Sequence, residues 1–364
     1  MSLPKREERP TMTPRERVLT ALRGEVPDRV PIVECIDWLP MVGLARLLEV
    51  KVPAADEPFA FEQLSARLTR ALGIDAIWIC MPLGGTPIDE QLVRDRYGSV
   101  YRLSRHGEPT VETGPIGSLD DTAGFDMAGR LTPADFDCVR EARRLLGPDY
   151  PVWFYFADTF KLSWKLRGGM EALLWDFVTD PALVHALARI TTDATIATVR
   201  GAAEAGADVL LMEGDLAANK APIFSPAHFR EYVKPYYAEI VAAAHDCGLP
   251  IVKHSDGNMW PLMEDLIEVG FDGYNPIQPQ CMDIAEAKQK LGDRICLVGN
   301  IDCVEVLVSG EEAEVARTVR QTIEVAAPGG GYILASSNSV HSDVRSQNYL
   351  AMVAAGRKYG TYDA

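Results

Sequence analysis

Short apolar runs recur along the chain at intervals filled by helical patterns, and this recurrence is the feature that most limits the possible folds. Eight runs rich in Val, Ile, Leu and Phe indicate strands that are apolar on both faces. Several of the later runs follow a helix that ends in Gly, which is typical of the loop from a helix to a parallel strand. Eight such repeats favour a (β/α)8 barrel over an open, doubly wound sheet. The predicted strands span residues 30–37, 75–81, 151–157, 208–215, 250–257, 271–277, 294–302 and 331–339.

The chain has 364 residues, more than a barrel of roughly 250 residues needs, and two segments account for the surplus. Residues 1–29 are predicted to form an N-terminal helical segment, in which the sequence TPRE from residue 13 marks the helix start. Residues 95–114 carry turn glycines between alternating residues and predict a β-hairpin inserted between the second and third strands. We expect residues 1–364 to form a single TIM-barrel domain.

The charge balance of the chain limits its partners. The chain carries 36 Lys and Arg against 52 Asp and Glu, a net charge of −16, and no cluster of basic residues offsets it. Such a chain repels a phosphate backbone, so we expect no nucleic-acid partner. The first predicted strand is followed by no glycine-rich phosphate turn, and we expect no nucleotide cofactor. No apolar stretch reaches the ~20 residues of a membrane span, and the N-terminus is polar, which predicts a cytoplasmic protein.

Polar side chains gather where the predicted strands end, and the active sites of (β/α)8 barrels lie at these carboxyl ends. His254 and Asp256 leave the fifth strand on the same face, two residues apart. Glu213 ends an apolar run, where an ionised carboxylate needs a partner. We predict His254, Asp256, Glu213 and Asp302 as catalytic candidates, although Asp302 also has the position of a helix cap. The predicted substrate-binding residues are Glu34, Asp37, Trp38, Tyr155, Asp215, Asn258, Asn275, Asn300, Asn338 and His341.

One imidazole, several carboxylates and several amides can do two kinds of chemical work. They can hold a divalent metal through His254, Asp256 and Glu213, or they can act as acid and base without a metal. Asp256 stands where a zinc site would need a thiolate, so a metal here would have an oxygen-rich ligand set. Trp38 and Tyr155 are candidates for the walls of a pocket that takes a planar or methoxylated ligand.

Six segments of the chain resemble the uroporphyrinogen decarboxylase superfamily. The opening phrase LRGEVPDRVP and the turn GNID are fairly specific to it. The resemblance implies a (β/α)8 barrel with the chemistry of the haem-pathway decarboxylase or of methyltransferases that use a corrinoid protein. The six segments span residues 16–32, 166–184, 224–237, 253–279, 292–307 and 329–340, nearly the whole chain.

The resemblance also implies which positions select the chemistry. The decarboxylase clamps substrate carboxylates with an arginine-bearing phrase, where this chain has Glu34 and Asp37, which would repel a polycarboxylate. Thiol-directed methyltransferases hold zinc through His-x-Cys and a second Cys. His254 matches the histidine, whereas Asp256 and Asn338 stand at the cysteine positions. We therefore predict a methyltransferase-like enzyme of corrinoid-linked methyl transfer or small-molecule demethylation, with a divalent metal, zinc or another, and a corrinoid carried by a partner protein.

Two alternatives to this function stay open. The first is a decarboxylase, a lyase acting on uroporphyrinogen or a smaller carboxylic acid, with His254 and Asp302 as acid and base. The second is a barrel that binds a ligand without turnover. The resemblance is also compatible with a homodimer.

Overall fold

The computed structural model describes residues 11–81, 84–104 and 109–362. No helix in these ranges combines the length and the apolar composition that a bilayer span requires. The strands are β1 (Val33–Glu34), β2 (Ala76–Ile77), β3 (Ile79–Cys80), β4 (Gly85–Pro87), β5 (Leu92–Asp95), β6 (Val100–Arg102), β7 (Thr110–Thr113), β8 (Trp153–Ala157), β9 (Val209–Glu213), β10 (Ile251–His254), β11 (Gly273–Asn275), β12 (Cys296–Ile301) and β13 (Tyr332–Ser336). The α-helices are α1 (Pro14–Leu22), α2 (Trp38–Leu47), α3 (Ala60–Leu72), α4 (Asp137–Leu146), α5 (Thr159–Arg167), α6 (Met170–Thr179), α7 (Pro181–Ala205), α8 (Pro226–Tyr232), α9 (Lys234–Asp246), α10 (Met263–Val269), α11 (Ile284–Leu291), α12 (Val306–Ser309), α13 (Glu312–Ala326) and α14 (Ser346–Tyr359).

Eight parallel strands of the described residues close into a barrel. Seven of them, β3 and β8 to β13, are hydrogen-bonded neighbours in one sheet. The eighth, β1, pairs with β2, which continues into β3 after Trp78. Parallel bridges from Ile32 to Leu334 and from Ile36 to Val340 join the β1 segment to the β13 segment and complete the ring. The predicted (β/α)8 barrel is confirmed.

Side chains on the barrel strands alternate between two apolar layers. On β9, Val209 and Leu211 belong to the cluster inside the barrel, whereas Leu210 and Met212 belong to the cluster between the strands and the outer helices. Both layers are buried. This double burial explains why the strand sequences are apolar throughout instead of alternating with polar residues.

Helix α1 closes the amino-terminal end of the barrel. The Thr13 hydroxyl accepts the Glu16 N–H at 3.2 Å, and the Glu16 carboxylate accepts the Thr13 N–H at 2.8 Å, which forms the predicted helix start. Val18, Ala21 and Leu22 on its buried face join the interior cluster. Helix α1 lies within the predicted segment 1–29, of which residues 1–10 lie outside the described residues, and its position leaves the carboxyl ends of the strands as the barrel mouth.

A four-stranded antiparallel sheet, in the order β4, β5, β6, β7, stands where the sequence predicts a hairpin. The predicted range 95–114 contains β6 and β7 but is too short, since the sheet begins at Gly85. Strand β4 has the sequence GTP, and Gly and Pro are weak strand formers, which hid it from the sequence pattern. Residues 105–108 of the predicted hairpin lie outside the described residues.

The inserted sheet is attached to the end of α5. The Ser99 hydroxyl donates to the Lys165 carbonyl at 3.2 Å, and the Lys165 ammonium lies 5.7 Å from the ring centre of Tyr101. Gly114 passes so close to the Leu166 carbonyl that a Cβ atom would lie 2.0 Å from its oxygen. These contacts fix the sheet beside the helix that follows β8.

A buried carboxylate links α1 to the start of β2. Asp75 is fully buried and lies 2.6 Å from Arg17 Nη1 and 2.9 Å from Arg29 Nη1. It also accepts the Ile32 N–H at 2.8 Å. Arg17 makes a second ion pair with Asp28 at 2.6 Å. The network fixes the helix that closes the barrel onto the strands that it covers.

Replacing Asp75 by Ala tests the importance of this link. Because the substitution leaves the buried Arg17 guanidinium with one carboxylate instead of two, we expect the free energy of unfolding to fall by ~3–5 kcal/mol, measured by urea titration. Arg23→Ala removes an exposed ion pair with Glu25 and is the control, for which we expect an unchanged midpoint. Equal midpoints for the wild type and Asp75→Ala would contradict this interpretation.

Candidate active site

Three neighbouring strands each place one polar residue in the same row at the barrel mouth. In the parallel register, His254 of β10 lies opposite Glu213 of β9 and Asn275 of β11. Val252 and Leu211, two residues earlier on their strands, belong to the interior cluster, so the row faces inward. All three polar side chains are buried, His254 being 6% exposed. The structure thus brings together three residues that the sequence places at strand ends.

Asn275 fixes the orientation of the His254 ring. Asn275 Nδ2 donates to the Val298 carbonyl at 3.3 Å, which turns Oδ1 of the amide toward the imidazole. His254 Nδ1 lies 2.6 Å from that oxygen and therefore carries a proton. In the neutral ring the lone pair is then on Nε2, which is the arrangement of metal-binding histidines whose second nitrogen is held by a hydrogen bond.

The two oxygens of Asp256 differ in their partners. Asn338 Nδ2 donates to Oδ2 at 2.5 Å, whereas Oδ1 is buried with no hydrogen-bond partner among the described residues. Burial raises the pKa of Asp256 to about 6; His254 counteracts this rise, and the carboxylates of Asp215 and Glu213 add to it. A buried acceptor without a partner is unfavourable, so Oδ1 is a position for a proton donor or a cation.

The turn after β10 passes directly over the turn after β9. Gly257 has a φ of +89°, and a Cβ atom at this position would lie 2.7 Å from the carbonyl of Ala217, so the turn requires glycine. The Asp256 N–H donates to Asp215 Oδ1 at 3.0 Å. This close passage brings the side chains of Asp215 and Asp256 together.

Asp215, His254 and Asp256 form one donor cluster. One potential ligand atom of each residue lies within 4.8 Å of the others. Two carboxylates and an imidazole suit a hard or borderline divalent cation such as Mn²⁺, Fe²⁺ or Co²⁺. Within the described part of the chain no cysteine belongs to this cluster, and Asn338 uses its amide to bind Asp256. The residues therefore fit an oxygen-rich site and do not fit the thiolate-rich zinc site that the resemblance implies.

Glu213 stands outside the cluster, contrary to the predicted metal set of His254, Asp256 and Glu213. Its Oε1 lies 2.7 Å from Nζ of Lys161 on α5, and the two side chains are at most 10% exposed. This buried ion pair supplies the partner that the sequence analysis assigns to His254 or a cation. Among the described residues, Asp215 is the third member of the cluster instead.

Aromatic rings line the barrel interior next to the row. Trp78 stacks with Trp153 and Tyr155 at centroid distances of 6.2 and 6.3 Å. The His254 ring packs edge-on against the Trp78 ring, with an interplanar angle of 84°. Tyr155 is half-buried against the interior cluster, as a wall residue would be. Trp38 packs against the outer cluster because it begins α2, so the structure does not place it in the wall.

Glu34 lies behind the barrel wall. It shares a strand face with Ile32 and Ile36, which belong to the outer cluster, and it is fully buried. Its carboxylate accepts the N–H and the hydroxyl of Ser336 at 2.9 and 2.8 Å and the Cys35 N–H at 3.0 Å. Burial raises the pKa of Glu34 to about 8 against these hydrogen bonds. These contacts favour a structural role over the predicted role in substrate binding.

Three other predicted residues hold turns. Asp302 Oδ1 accepts two backbone N–H groups at 2.7 and 3.1 Å in the turn after β12, which is the capping alternative of the sequence analysis. The Asn258 amide donates to a backbone carbonyl at 3.2 Å, and His341 Nε2 lies 3.0 Å from another backbone carbonyl.

The last two predicted substrate-binding residues differ in exposure. Asp37 is exposed at the N-cap of α2, and Asn300 is buried near the end of β12.

Comparison with known proteins places this barrel in a family. A family model for uroporphyrinogen decarboxylase (URO-D) matches residues 13–359. The chain belongs to this family. Relatives of this URO-D chain include the methylcobamide:CoM methyltransferase MtaA of Methanosarcina barkeri, which is 25% identical over 355 residues, 95% of this chain and 98% of the relative. They also include the uroporphyrinogen decarboxylase of Thermus thermophilus, which is 29% identical over 218 residues, 56% of this chain and 57% of the relative.

A solved structure shares the fold of this chain. The methyltransferase from Methanosarcina mazei superimposes with a TM-score of 0.72 at 21% sequence identity, and the match covers 96% of this chain and 99% of that chain. At this level of identity the likeness shows the fold alone.

Two buried lysines that support the row were not predicted from the sequence. Lys161 lies three residues after Asp158, the N-cap of α5, and reaches Glu213. Lys253 immediately precedes His254 and is completely buried. A lysine within the otherwise apolar strand PIVKH is a signal that could have identified Lys253, since an unpaired ammonium is rarely buried.

Glu34 predicts a pH dependence of stability. The pKa of its carboxyl is about 8 in the folded chain and about 4.5 as the ordinary value, so the folded state holds more protons between these limits and the Glu34 contribution to stability decreases as the pH rises through them. Glu34→Gln carries no charge at any pH. We therefore expect the melting temperature of the variant, relative to the wild type, to be higher at about pH 9 than at about pH 5. A constant difference between the two pH values would show that Glu34 is ionised throughout.

Proposed function

We propose that this URO-D family protein is an enzyme of methyl transfer, acting in corrinoid-linked transfer to or from a small molecule, with a divalent cation held by Asp215, His254 and Asp256. The observation that best supports a bound cation is the buried Oδ1 of Asp256, which has no hydrogen-bond partner among the described residues. This oxygen belongs to a residue that lies in a cluster with two further donors. The relative MtaA supports the reaction class, and a corrinoid-carrying partner protein at the barrel mouth is part of the proposal.

The chain's own residues have separable tasks in this site. Asn275 holds the His254 ring with its Nδ1 protonated, and Asn338 holds one oxygen of Asp256. Together they direct Nε2 and Oδ1 as ligand atoms. When bound, the cation would polarise the heteroatom that gives or accepts the methyl group. The interior rings of Trp78 and Tyr155 offer an apolar surface for the substrate.

The charges at the mouth disfavour a polycarboxylate substrate. Asp215 and Asp256 come together there, and the ammonium of Lys161 is already paired with Glu213. A divalent cation would offset the charges of Asp215 and Asp256 and leave no excess positive charge for the several carboxylates of a porphyrinogen. Methyl transfer therefore ranks above uroporphyrinogen decarboxylation at this site.

Metal binding is the first test. We expect metal-stripped protein to bind about one Mn²⁺ per chain in isothermal titration calorimetry, and His254→Ala or Asp256→Ala to weaken the affinity at least ~100-fold, since each removes a ligand atom. Asp246→Ala removes an exposed aspartate at the end of α9 and is the control, with unchanged affinity expected. Absence of binding by the wild type would remove the cation from the proposal.

Turnover is the second test. We expect protein loaded with Mn²⁺ to change the visible spectrum of methylcobalamin in the presence of one member of a panel of small methyl acceptors, and Asp256→Ala to lower the rate at least ~100-fold. Asp302→Ala should leave the rate within about twofold, since Asp302 holds a turn. Release of carbon dioxide from a panel of acids, lost in Asp302→Ala, would instead favour the lyase. Ligand binding without any turnover would favour a non-catalytic barrel.

A further inference from the structure

A completely buried ammonium lies directly behind the candidate site. Lys253 precedes His254 on β10, so its side chain leaves the opposite face of the strand, away from the barrel interior. Its Nζ lies 2.7 Å from the carbonyl oxygens of Gly214 and His254 and 3.0 Å from Oδ2 of Asp158. Lys253 and Asp158 are both 0% exposed. The charge is therefore satisfied entirely by protein groups.

The position of the carboxylate partner is fixed as tightly as that of the lysine. Asp158 caps α5, and its Oδ1 accepts the Lys161 N–H at 2.6 Å. The hydroxyl of Tyr237 on α9 donates to Oδ2. A Cβ atom at Gly214 would lie 2.2 Å from this carboxylate, so glycine is required where β9 passes it. We name Lys253, Asp158 and Tyr237 the strand-end clamp.

The clamp acts on the two chain segments that carry the donors. The Gly214 carbonyl lies between Glu213 and Asp215 in the chain, and the His254 carbonyl lies two residues before Asp256. One ammonium binds both carbonyls, so it sets the separation of the ends of β9 and β10. The Gly214 N–H also donates to the His254 carbonyl at 3.3 Å, which continues the ladder between the strands.

We infer that Lys253 is a positioning residue: by binding the Gly214 and His254 carbonyls it holds the turn that carries Asp215 at the correct distance from His254 and Asp256. This inference rests on the donor cluster of the proposed function. Displacement of a ligand by a fraction of an ångström is enough to weaken a metal site. Removing a group that supports a ligand commonly lowers the metal affinity 10–100-fold.

The test compares a clamp variant with a matched lysine variant. Lys253→Met combined with Asp158→Asn removes both buried charges together, and Asn still caps α5. Lys288→Met is the control, because Lys288 Nζ also donates to a backbone carbonyl, that of Gly330 at 2.5 Å, near the amino-terminal end of β13. Tyr237→Phe is a milder clamp variant, which removes a single hydroxyl from Asp158.

Two readouts follow the clamp, namely backbone hydrogen exchange in metal-free protein and the Kd for Mn²⁺. In the double variant we expect exchange in residues 213–217 and 254–258 to accelerate about tenfold, with exchange in residues 296–301 unchanged. We expect Kd to rise 10–100-fold. Tyr237→Phe should accelerate exchange and raise Kd by smaller factors. Lys288→Met should change neither the exchange rates nor Kd.

Two results would overturn the inference. One is unchanged exchange and unchanged Kd in both clamp variants. The other is an acceleration of exchange equally large in residues 296–301, which would make Lys253 a general scaffold residue. If the wild type binds no Mn²⁺, the cation of the proposed function is wrong, whereas the exchange pattern still decides whether Lys253 positions the two turns.

Discussion

The parallel register between β9, β10 and β11 is the constraint on which the candidate site depends. It aligns Glu213, His254 and Asn275 in one inward-facing row. Because side chains alternate along a strand, a slip of one residue on β10 would turn Lys253 into the barrel and His254 out of it. The hydrogen-bond acceptors of the Lys253 ammonium, which are Asp158 and two backbone carbonyls, lie behind the barrel wall. The polar groups on the two faces of β10 therefore specify the same register.

The balance of charge connects the scaffold to the chemistry. Four carboxylates, those of Asp158, Glu213, Asp215 and Asp256, lie on or beside the ends of β8, β9 and β10. Two of them have buried lysine partners, Lys253 for Asp158 and Lys161 for Glu213. The Asp215 carboxylate instead accepts the backbone N–H of Asp256, and both aspartates belong to the cluster with His254. A bound divalent cation would compensate these two remaining charges in the way that the lysines compensate the others.

The barrel itself could be predicted because its strands are buried on both faces and leave eight uninterrupted apolar runs. The row at the mouth could also be predicted, since Glu213, His254 and Asn275 all end their strands. Whether Glu213 or Asp215 joins His254 and Asp256 in the donor cluster depends on Lys161, which lies on a different element, and on the turn at Gly257. Neither contact leaves a periodic signal in the sequence.

The orientation of the residues at the first strand could not be predicted for a different reason, the shortness of that strand. Only Val33–Glu34 form the regular strand, within a longer predicted range, so the alternation that decides which side chains face inward could not be anchored. Glu34 consequently faces the outer cluster, and Trp38 already belongs to α2. The inserted sheet was underestimated for another reason, since strands outside the core carry no apolar run.

Anomalous diffraction from crystals grown with Mn²⁺ tests most directly whether the strand ends form a cation site. The account predicts one strong difference peak within about 2.5 Å of Nε2 of His254 and of carboxylate oxygens of Asp215 and Asp256. A peak bound by cysteine sulfur, or a mouth without any peak at saturating Mn²⁺, would contradict it.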